Sequence, residues 1–178
     1  MKITLPLTKE KIKMLKVGDK IYLSGVLYTA RDAAHKRLIE LMDNNSNLPF
    51  DLNNQTIYYT GPTPSRCGHI GSCGPTTSFR MDGFMEPLAK KGLIASIGKG
   101  ERDESVISLC KKYQMIYLVT TGGAGALLSN CVTSSNIIAF DDLGCEAIRK
   151  LTVKDFPCFV AYDIYGNSIF KEKENERI

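Results

Sequence analysis

LIASIGKGERDESVISLCKKYQMIYLVT, residues 93–120, decides the fold. Leu93 to Ile97 is a short apolar run, and Met115 to Thr120 is a second. Between them, Asp103 to Tyr113 sets Val106, Ile107 and Cys110 on one helical face. Strand, helix and strand in that order require a crossover, and a crossover pairs its two strands in parallel. Each strand is followed by glycines: Gly98-Lys99-Gly100 after the first, Gly122-Gly-Ala-Gly125 after the second.

The alternation extends toward the N-terminus. Thr56 to Thr60 reads as a short strand and Arg31 to Met42 as a helix with Ala34, Leu38, Leu41 and Met42 inward. Ile21 to Thr29 reads as a strand with Ile21, Leu23, Gly25 and Leu27 on one side. Thr8 is placed to cap a short first helix carrying Ile12 and Leu15. Gly61 to Pro75 is a long loop, a length that in compact proteins often marks function. Thr77 to Lys91 reads as helical, with a restart near Gly83 and Pro87. Toward the C-terminus, Ile137 to Phe140 and Val153 to Asp163 are strands, the second interrupted at Pro157, and Tyr165-Gly-Asn167 turns into Ser168 to Lys171. The flanks, with their short connections, suggest antiparallel pairing. The expectation is one mixed α/β domain over residues 1–178, with a mixed, partly parallel sheet and no repeat or linker.

Composition agrees with that class. The 178 residues are 43% hydrophobic and 24% charged, which excludes a disordered chain, a collagen and a coiled coil. No apolar run reaches the ~18 residues of a membrane span. Met1 to Leu7 does not read as a secretory signal. The net charge of +4 is spread along the chain, so neither nucleic acid nor membrane is an expected partner. Six cysteines without a secretory signal suit the reducing cytosol, and a cytoplasmic location is expected. Cys67 and Cys73 flank His69, but five residues separate them, too many for the usual zinc spacing; small apolar thiols are the better reading.

The glycine-bearing loops hold the candidate chemistry. None matches a phosphate-binding P-loop, and Gly123-x-Gly125-x-x-Leu128 lacks the third glycine of a dinucleotide fingerprint. A small-anion site fits better. Thr76, Thr77 and Ser78 offer hydroxyls where a helix is expected to begin, and Arg80 follows Thr76 by one helical turn. Lys99 lies between two glycines, and Arg31 ends the strand at 21–29. Two arginines and a lysine at strand ends suit carboxylates, which guanidinium groups bind in two-pronged, charge-assisted pairs. The same residues can also be read as an ordinary helix cap with surface cations, and spacing alone leaves both open. His35, one turn after Arg31, reads as a hydrogen-bonded structural histidine before an acid–base group. Asp32 and Asp82 read as helix-terminus or salt-bridge residues.

Five ordered motifs carry a resemblance. Tyr28-Thr-Ala-Arg-Asp-Ala-Ala-His-Lys-Arg37, Gly61-Pro-Thr-Pro64, Gly74-Pro-Thr-Thr-Ser-Phe-Arg-Met-Asp82, Ile97-Gly-Lys-Gly100 and Gly122-Gly-Ala-Gly-Ala-Leu127 closely resemble the β subunit of class I, iron–sulfur fumarate hydratase. That subunit is equivalent to the C-terminal domain of single-chain relatives, and the likeness runs in order over nearly the whole chain. The related L-tartrate dehydratase β subunit shares the Gly-Pro-Thr-Thr-Ser and Gly-Lys-Gly elements, so the substrate stays open between the two. The resemblance implies a swivelling β/β/α-type domain acting in the interconversion of fumarate and (S)-malate. It implies a [4Fe–4S] cluster ligated by a separate α subunit and not by this chain, so no metal- or cofactor-binding residue is assigned here. Carried over motif by motif, Arg31, Arg80 and Lys99 bind the dicarboxylate substrate, and the catalytic Thr76 sits at the proton to be moved. Cys73 would lie near the substrate, open to thiol modification. The family also implies a homodimer of this chain joined to two α chains. A reading from a different class is a small-anion-binding or assembly module without catalysis.

Overall fold

The computed structural model describes residues 1–64 and 69–171. Its elements follow the apolar periodicities. They are β1 (Lys2–Thr4), α1 (Lys9–Lys13), β2 (Lys20–Thr29), α2 (Asp32–Asp43) and β3 (Thr56–Tyr58). A 3-10 helix (Ser78–Phe84) then runs into α3 (Met85–Lys90), followed by β4 (Ala95–Gly98), α4 (Glu104–Tyr113), β5 (Ile116–Val119), α5 (Gly125–Ser129) and β6 (Val132–Ala139). A second 3-10 helix (Asp141–Glu146) leads into β7 (Ile148–Tyr162). Local chemistry sets several of these limits. Thr8 Oγ1 accepts from the Lys11 amide at 3.3 Å to open α1, and the Asp103 carboxylate accepts from Ser105 N at 2.8 Å to open α4. Gln114 closes α4 in the left-handed conformation.

Strands β1 to β5 lie side by side in parallel, as the crossover helices require. The last strand closes the sheet. β7 runs antiparallel to β2 along one edge and antiparallel to β5 and β6 along the other, so β2-β3-β4-β5-β7 forms a ring. The architecture is therefore mixed α/β with a mixed, partly parallel sheet, as expected.

Three expectations change. The first residues form a strand, β1, parallel to β2, so the N-terminal flank is not antiparallel. With Ile3 its one inward residue, β1 is too short to show a period. β6 begins at Val132 rather than Ile137, because it is a sheet edge whose Thr133, Ser134 and Asn136 face solvent. β7 runs unbroken through Pro157, which pairs with Tyr22 and whose carbonyl accepts from Thr120 Oγ1 at 2.9 Å. The irregularity lies two residues earlier, at Asp155 (φ 49°), where the register against β2 shifts between Leu23 and Gly25.

Period-2 alternation splits the core in two. Ile21, Leu23 and Leu27 of β2, Tyr58, Ile97, Leu118 and Val160 fill one face of the closed sheet, together with Ile12 and Leu15 from the α1 region. Ile57, Tyr59, Tyr117 and Tyr162 point the other way and meet Leu38, Leu88 and Val106 from the helices. No helix among the described residues is long and apolar enough to cross a membrane. Parallel pairing brings the carboxyl ends of β2, β3, β4 and β5, at Thr29, Tyr58, Gly98 and Val119, to one rim.

Candidate functional site

Between Gly74 and Ser78 the chain inserts at that rim. Thr76 N donates to Tyr59 O at 2.6 Å, and Lys99 N donates to Thr76 O at 3.3 Å. Ser78 N then donates to Lys99 O at 3.0 Å. Thr76 and Thr77 are thus held in a strand-like way beyond the ends of β3 and β4, with Thr77 bridged in parallel to Lys99. The helical turn expected to carry Thr76 and Arg80 on one face does not form: the 3-10 helix starts only at Ser78. The peptide groups of Thr76 are already bonded to neighbouring strands and cannot serve a helix. Upstream, Thr60 Oγ1 donates to Gly74 O at 2.8 Å, and Tyr58 OH donates to Cys73 O.

The two arginines meet at one carboxylate. Arg80 presents Nε to Asp32 Oδ1 at 3.1 Å and Nη2 to Asp32 Oδ2 at 3.2 Å, a side-on fork. Arg31 Nη2 lies 3.7 Å from the same Asp32 oxygen and 3.4 Å from Glu146 Oε1. Glu146 also accepts from Ala33 N at 2.9 Å, at the start of α2. Arg31 Nε is buried and has no hydrogen-bond partner among the described residues. Its side chain lies over Gly61, where an added Cβ would meet Arg31 Nη1 at 3.0 Å and Cys145 O at 3.1 Å. Arg80 keeps its Nη1–Nη2 edge outward, since Asp32 takes the other edge. Lys99 joins the group through the backbone bonds to Thr76 and Ser78. Its side chain lies along the loop after β5, with Cδ 3.6 Å from a Cβ position on Gly122, and its ammonium has no carboxylate partner among the described residues. All four predicted residues therefore lie on the same rim, with Arg31 and Arg80 sharing a carboxylate and Thr76 and Lys99 sharing a backbone bond.

The residues around them are structural in the sense their surroundings impose. His35 is wholly buried. Its Nδ1 is 2.8 Å from Arg31 O, and because a carbonyl only accepts, Nδ1 carries the proton. Burial pushes the ring's pKa down to about 4, so it is neutral and packs against Tyr59 and Phe84. Cys73 is also wholly buried, and burial pushes its thiol up to about 12. The expected open, modifiable thiol is therefore a core residue. Asp32 and Asp82 are salt-bridge residues, as read from the sequence.

The sequence reading passed over Arg102. Its side chain is fully enclosed, pairs with Asp82 through Nε at 2.6 Å and donates from Nη1 to Tyr59 OH and Ser96 Oγ, both at 3.2 Å. Glu146, reached only through the fold, was passed over as well. A charged residue just after Gly98-Lys-Gly100 was the one available signal for Arg102, and alone it looks like a surface charge. Of the Cys67, His69 and Cys73 set, Cys67 lies outside the described residues. Among those described, no group of three His, Cys, Asp or Glu residues is placed to hold a metal ion.

The family model described as fumarase C-terminus matches residues 1–173. A Methanocaldococcus jannaschii chain with the provisional name L(+)-tartrate dehydratase subunit beta is 43% identical over 173 residues, covering 93% of this chain and 89% of that one. The aerobic class I fumarate hydratase of Escherichia coli K12 is 38% identical over 159 residues, 88% of this chain but 29% of the enzyme. Fumarate hydratase 2 of Leishmania major is 36% identical over 167 residues, 92% of this chain and again 29% of the enzyme. The chain thus spans under a third of these two fumarate hydratases and most of the tartrate dehydratase subunit. With the family match running from the first strand through the last, and two arginines, a lysine and a threonine gathered on one rim, the chain belongs to the fumarase C-terminus family.

Proposed function

We propose that this chain is the β portion of an iron–sulfur hydro-lyase that interconverts fumarate and (S)-malate. Its role is to present carboxylate-binding side chains to a cluster held by a separate α subunit. The observation that carries the reading is the fork by which Arg80 holds the Asp32 carboxylate, with the Arg31 guanidinium 3.7 Å from the same group, at the rim beside Thr76 and Lys99. A site that binds its own aspartate in this way has the geometry to bind a substrate carboxylate at Arg80's remaining edge. Lys99, with no carboxylate partner among the described residues, supplies charge for the second carboxylate. Asp32 and Glu146 offset two of the three cations, which leaves the site attractive to an anion without stranding three like charges together.

In this reading Thr76 Oγ takes up the C3 proton only as its own hydroxyl proton leaves. A threonine hydroxyl is a weak base, so the proton must pass to an acceptor on the α portion. As the C3 proton leaves, negative charge grows on the adjacent carboxylate, and the fixed cations stabilise it best where water is excluded. The described residues do not suit an iron–sulfur cluster: no metal-holding group occurs among them, and Cys73, Cys110 and Cys158 are buried in the two cores. In this reading the cluster belongs to the α portion, where it would supply Lewis acidity to the substrate hydroxyl. A homodimer of this chain, joined to two α chains, completes the proposed assembly.

The relative named as a tartrate dehydratase subunit supports a second reading, in which the substrate is L-tartrate, because this chain and that one are nearly coextensive. The test is reconstitution with the α chain under anaerobic conditions and assay with malate, fumarate and L-tartrate. Hydration and dehydration of the first pair is the expected result. Turnover of tartrate alone supports the second reading. Dicarboxylate binding by the complex with no turnover of any of the three leaves an anion-binding module. Hydratase activity and a cluster in this chain without the α chain would overturn the proposal.

A further inference from the structure

We infer that Arg102 is the positioning residue of the rim, a single buried guanidinium that holds Thr76, Arg80 and Lys99 in register. The inference rests on the proposed function only for its kinetic consequence. Lines of contact run from Arg102 to each of those three residues. Its Nε pairs with Asp82 at 2.6 Å, and Asp82 lies two residues beyond Arg80 in the same 3-10 helix. The other oxygen of Asp82 accepts from Asp103 N at 2.9 Å, which ties that helix to the start of α4. Arg102 Nη1 donates to Tyr59 OH at 3.2 Å, and Tyr59 O is the acceptor that holds Thr76 N. The guanidinium also lies over the Tyr59 ring at 5.4 Å and the Tyr117 ring at 5.2 Å. Tyr117 OH is 2.9 Å from Ser78 Oγ, and that oxygen accepts from Lys99 N at 3.1 Å. Arg102's own peptide N and O both bond Tyr162 OH, at 2.8 and 2.9 Å, which fixes the chain three residues past Lys99.

Stability alone does not call for this arrangement. The surrounding core is apolar and aromatic, and a buried ion pair in such a place contributes no more than well-packed apolar side chains would. What no apolar residue can supply is direction. A planar guanidinium holds its N–H donors at fixed angles: here Nε bonds the helix that bears Arg80 and Nη1 bonds the strand end that orients Thr76, while Nη2 has no hydrogen-bond partner among the described residues.

The test uses the full chain with two variants. In the first, Arg102→Met is combined with Asp82→Asn, so neither partner leaves a bare buried charge and the new amide oxygen can still accept from Asp103 N. In the second, Arg102→Lys keeps the charge opposite Asp82 but cannot also span Tyr59 and Ser96. Hydrogen exchange at single amides is read together with melting. The amides of Thr76 and Lys99 are expected to exchange about tenfold faster or more, the equivalent of one lost hydrogen bond, while Leu27 and Leu151 on the β2–β7 ladder keep their wild-type rates. In the reconstituted complex kcat/KM for malate falls by a similar factor. Wild-type exchange at Thr76 and Lys99 in the folded variants overturns the inference. So does a uniform rise at all four amides, which would make Arg102 a stabilising residue only. If the double variant does not fold, Arg102→Lys carries the same two outcomes. Selective exchange in a variant, paired with a wild-type complex that turns over no dicarboxylate, would uphold the positioning role and remove the functional reading instead.

Discussion

Replacing Gly98 with alanine puts a methyl group where there is no room for one. Gly98 ends β4, one residue before Lys99. A Cβ there lands on Ser78 Oγ and lies 3.0 Å from Tyr59 Cδ2 and 3.2 Å from Ser78 Cβ. Tyr59 and Ser78 are wholly buried, so neither can swing into solvent. Ser78 must rotate and give up its contacts with Lys99 N and Tyr117 OH. Two such hydrogen bonds contribute roughly 2 kcal/mol, and the remaining crowding costs about 1–3 kcal/mol more. A total near ~4 kcal/mol corresponds to a drop of about 10 °C in melting temperature for a chain this long. Circular dichroism melting and urea titration measure it directly. Ser78→Ala on its own loses the two bonds and costs about 1–2 kcal/mol. Combined with Gly98→Ala the two bonds are lost only once and the clashing oxygen is gone, so the double variant is expected to fall short of the summed loss by at least about 1–2 kcal/mol. A Gly98→Ala chain that melts like wild type, or strictly additive losses, would refute the packing argument at the rim.

Arg80→Lys is expected to cost under about 1 kcal/mol of stability, since its pair with Asp32 is half exposed. In the reconstituted complex the same change should lower kcat/KM for malate about ten- to a hundredfold, because an ammonium cannot hold Asp32 and a substrate carboxylate in one plane; an unchanged kcat/KM removes Arg80 from the site. Burial holds His35 at a pKa of about 4, so between that value and the ordinary range near ~6.5 the unfolded chain binds a proton that the folded chain refuses. That share of stability is complete above ~6.5 and is lost as pH falls toward about 4, about 3 kcal/mol in all. Urea titrations of wild type and His35→Gln should diverge over that window, and parallel pH profiles would show that His35 does not contribute. Among the described cysteines, Cys145 is exposed while Cys73, Cys110 and Cys158 are buried with thiols pushed upward. Brief iodoacetamide treatment of the native chain, read by peptide mass spectrometry, should mark Cys145 before those three; equally fast labelling of Cys73 would contradict the core packing.

Local periodicity carried the central strand–helix–strand unit because each of its signals lies within one element. Val106, Ile107 and Cys110 define a helix face by spacing alone, and a parallel pair follows from the crossover. The rim was legible for the same reason: parallel strands that bury their bodies must deliver their carboxyl ends together, and Arg31 and Lys99 stand just past such ends. Pro157 misled because a proline normally removes a ladder bond, yet here the strand's bend is made at Asp155 and the proline's carbonyl still accepts from Thr120.

By itself, then, the sequence determined the central elements, the parallel pairing of their strands and the residue types at their ends, since all of these depend on neighbours a few positions away. Only the tertiary structure decided what those residues touch. β7 closes the ring by meeting β2 and β5 at once, Asp32 takes one edge of Arg80 across 48 positions, and Tyr162 bonds the backbone of Arg102 across 60. Thr76 illustrates the difference most simply. Its sequence neighbours suit a helix cap, but Tyr59 and Lys99 bond its peptide groups first and hold it extended. A hydrogen bond between distant residues leaves no periodic trace in the chain, because its geometry is set by where two strands end in space.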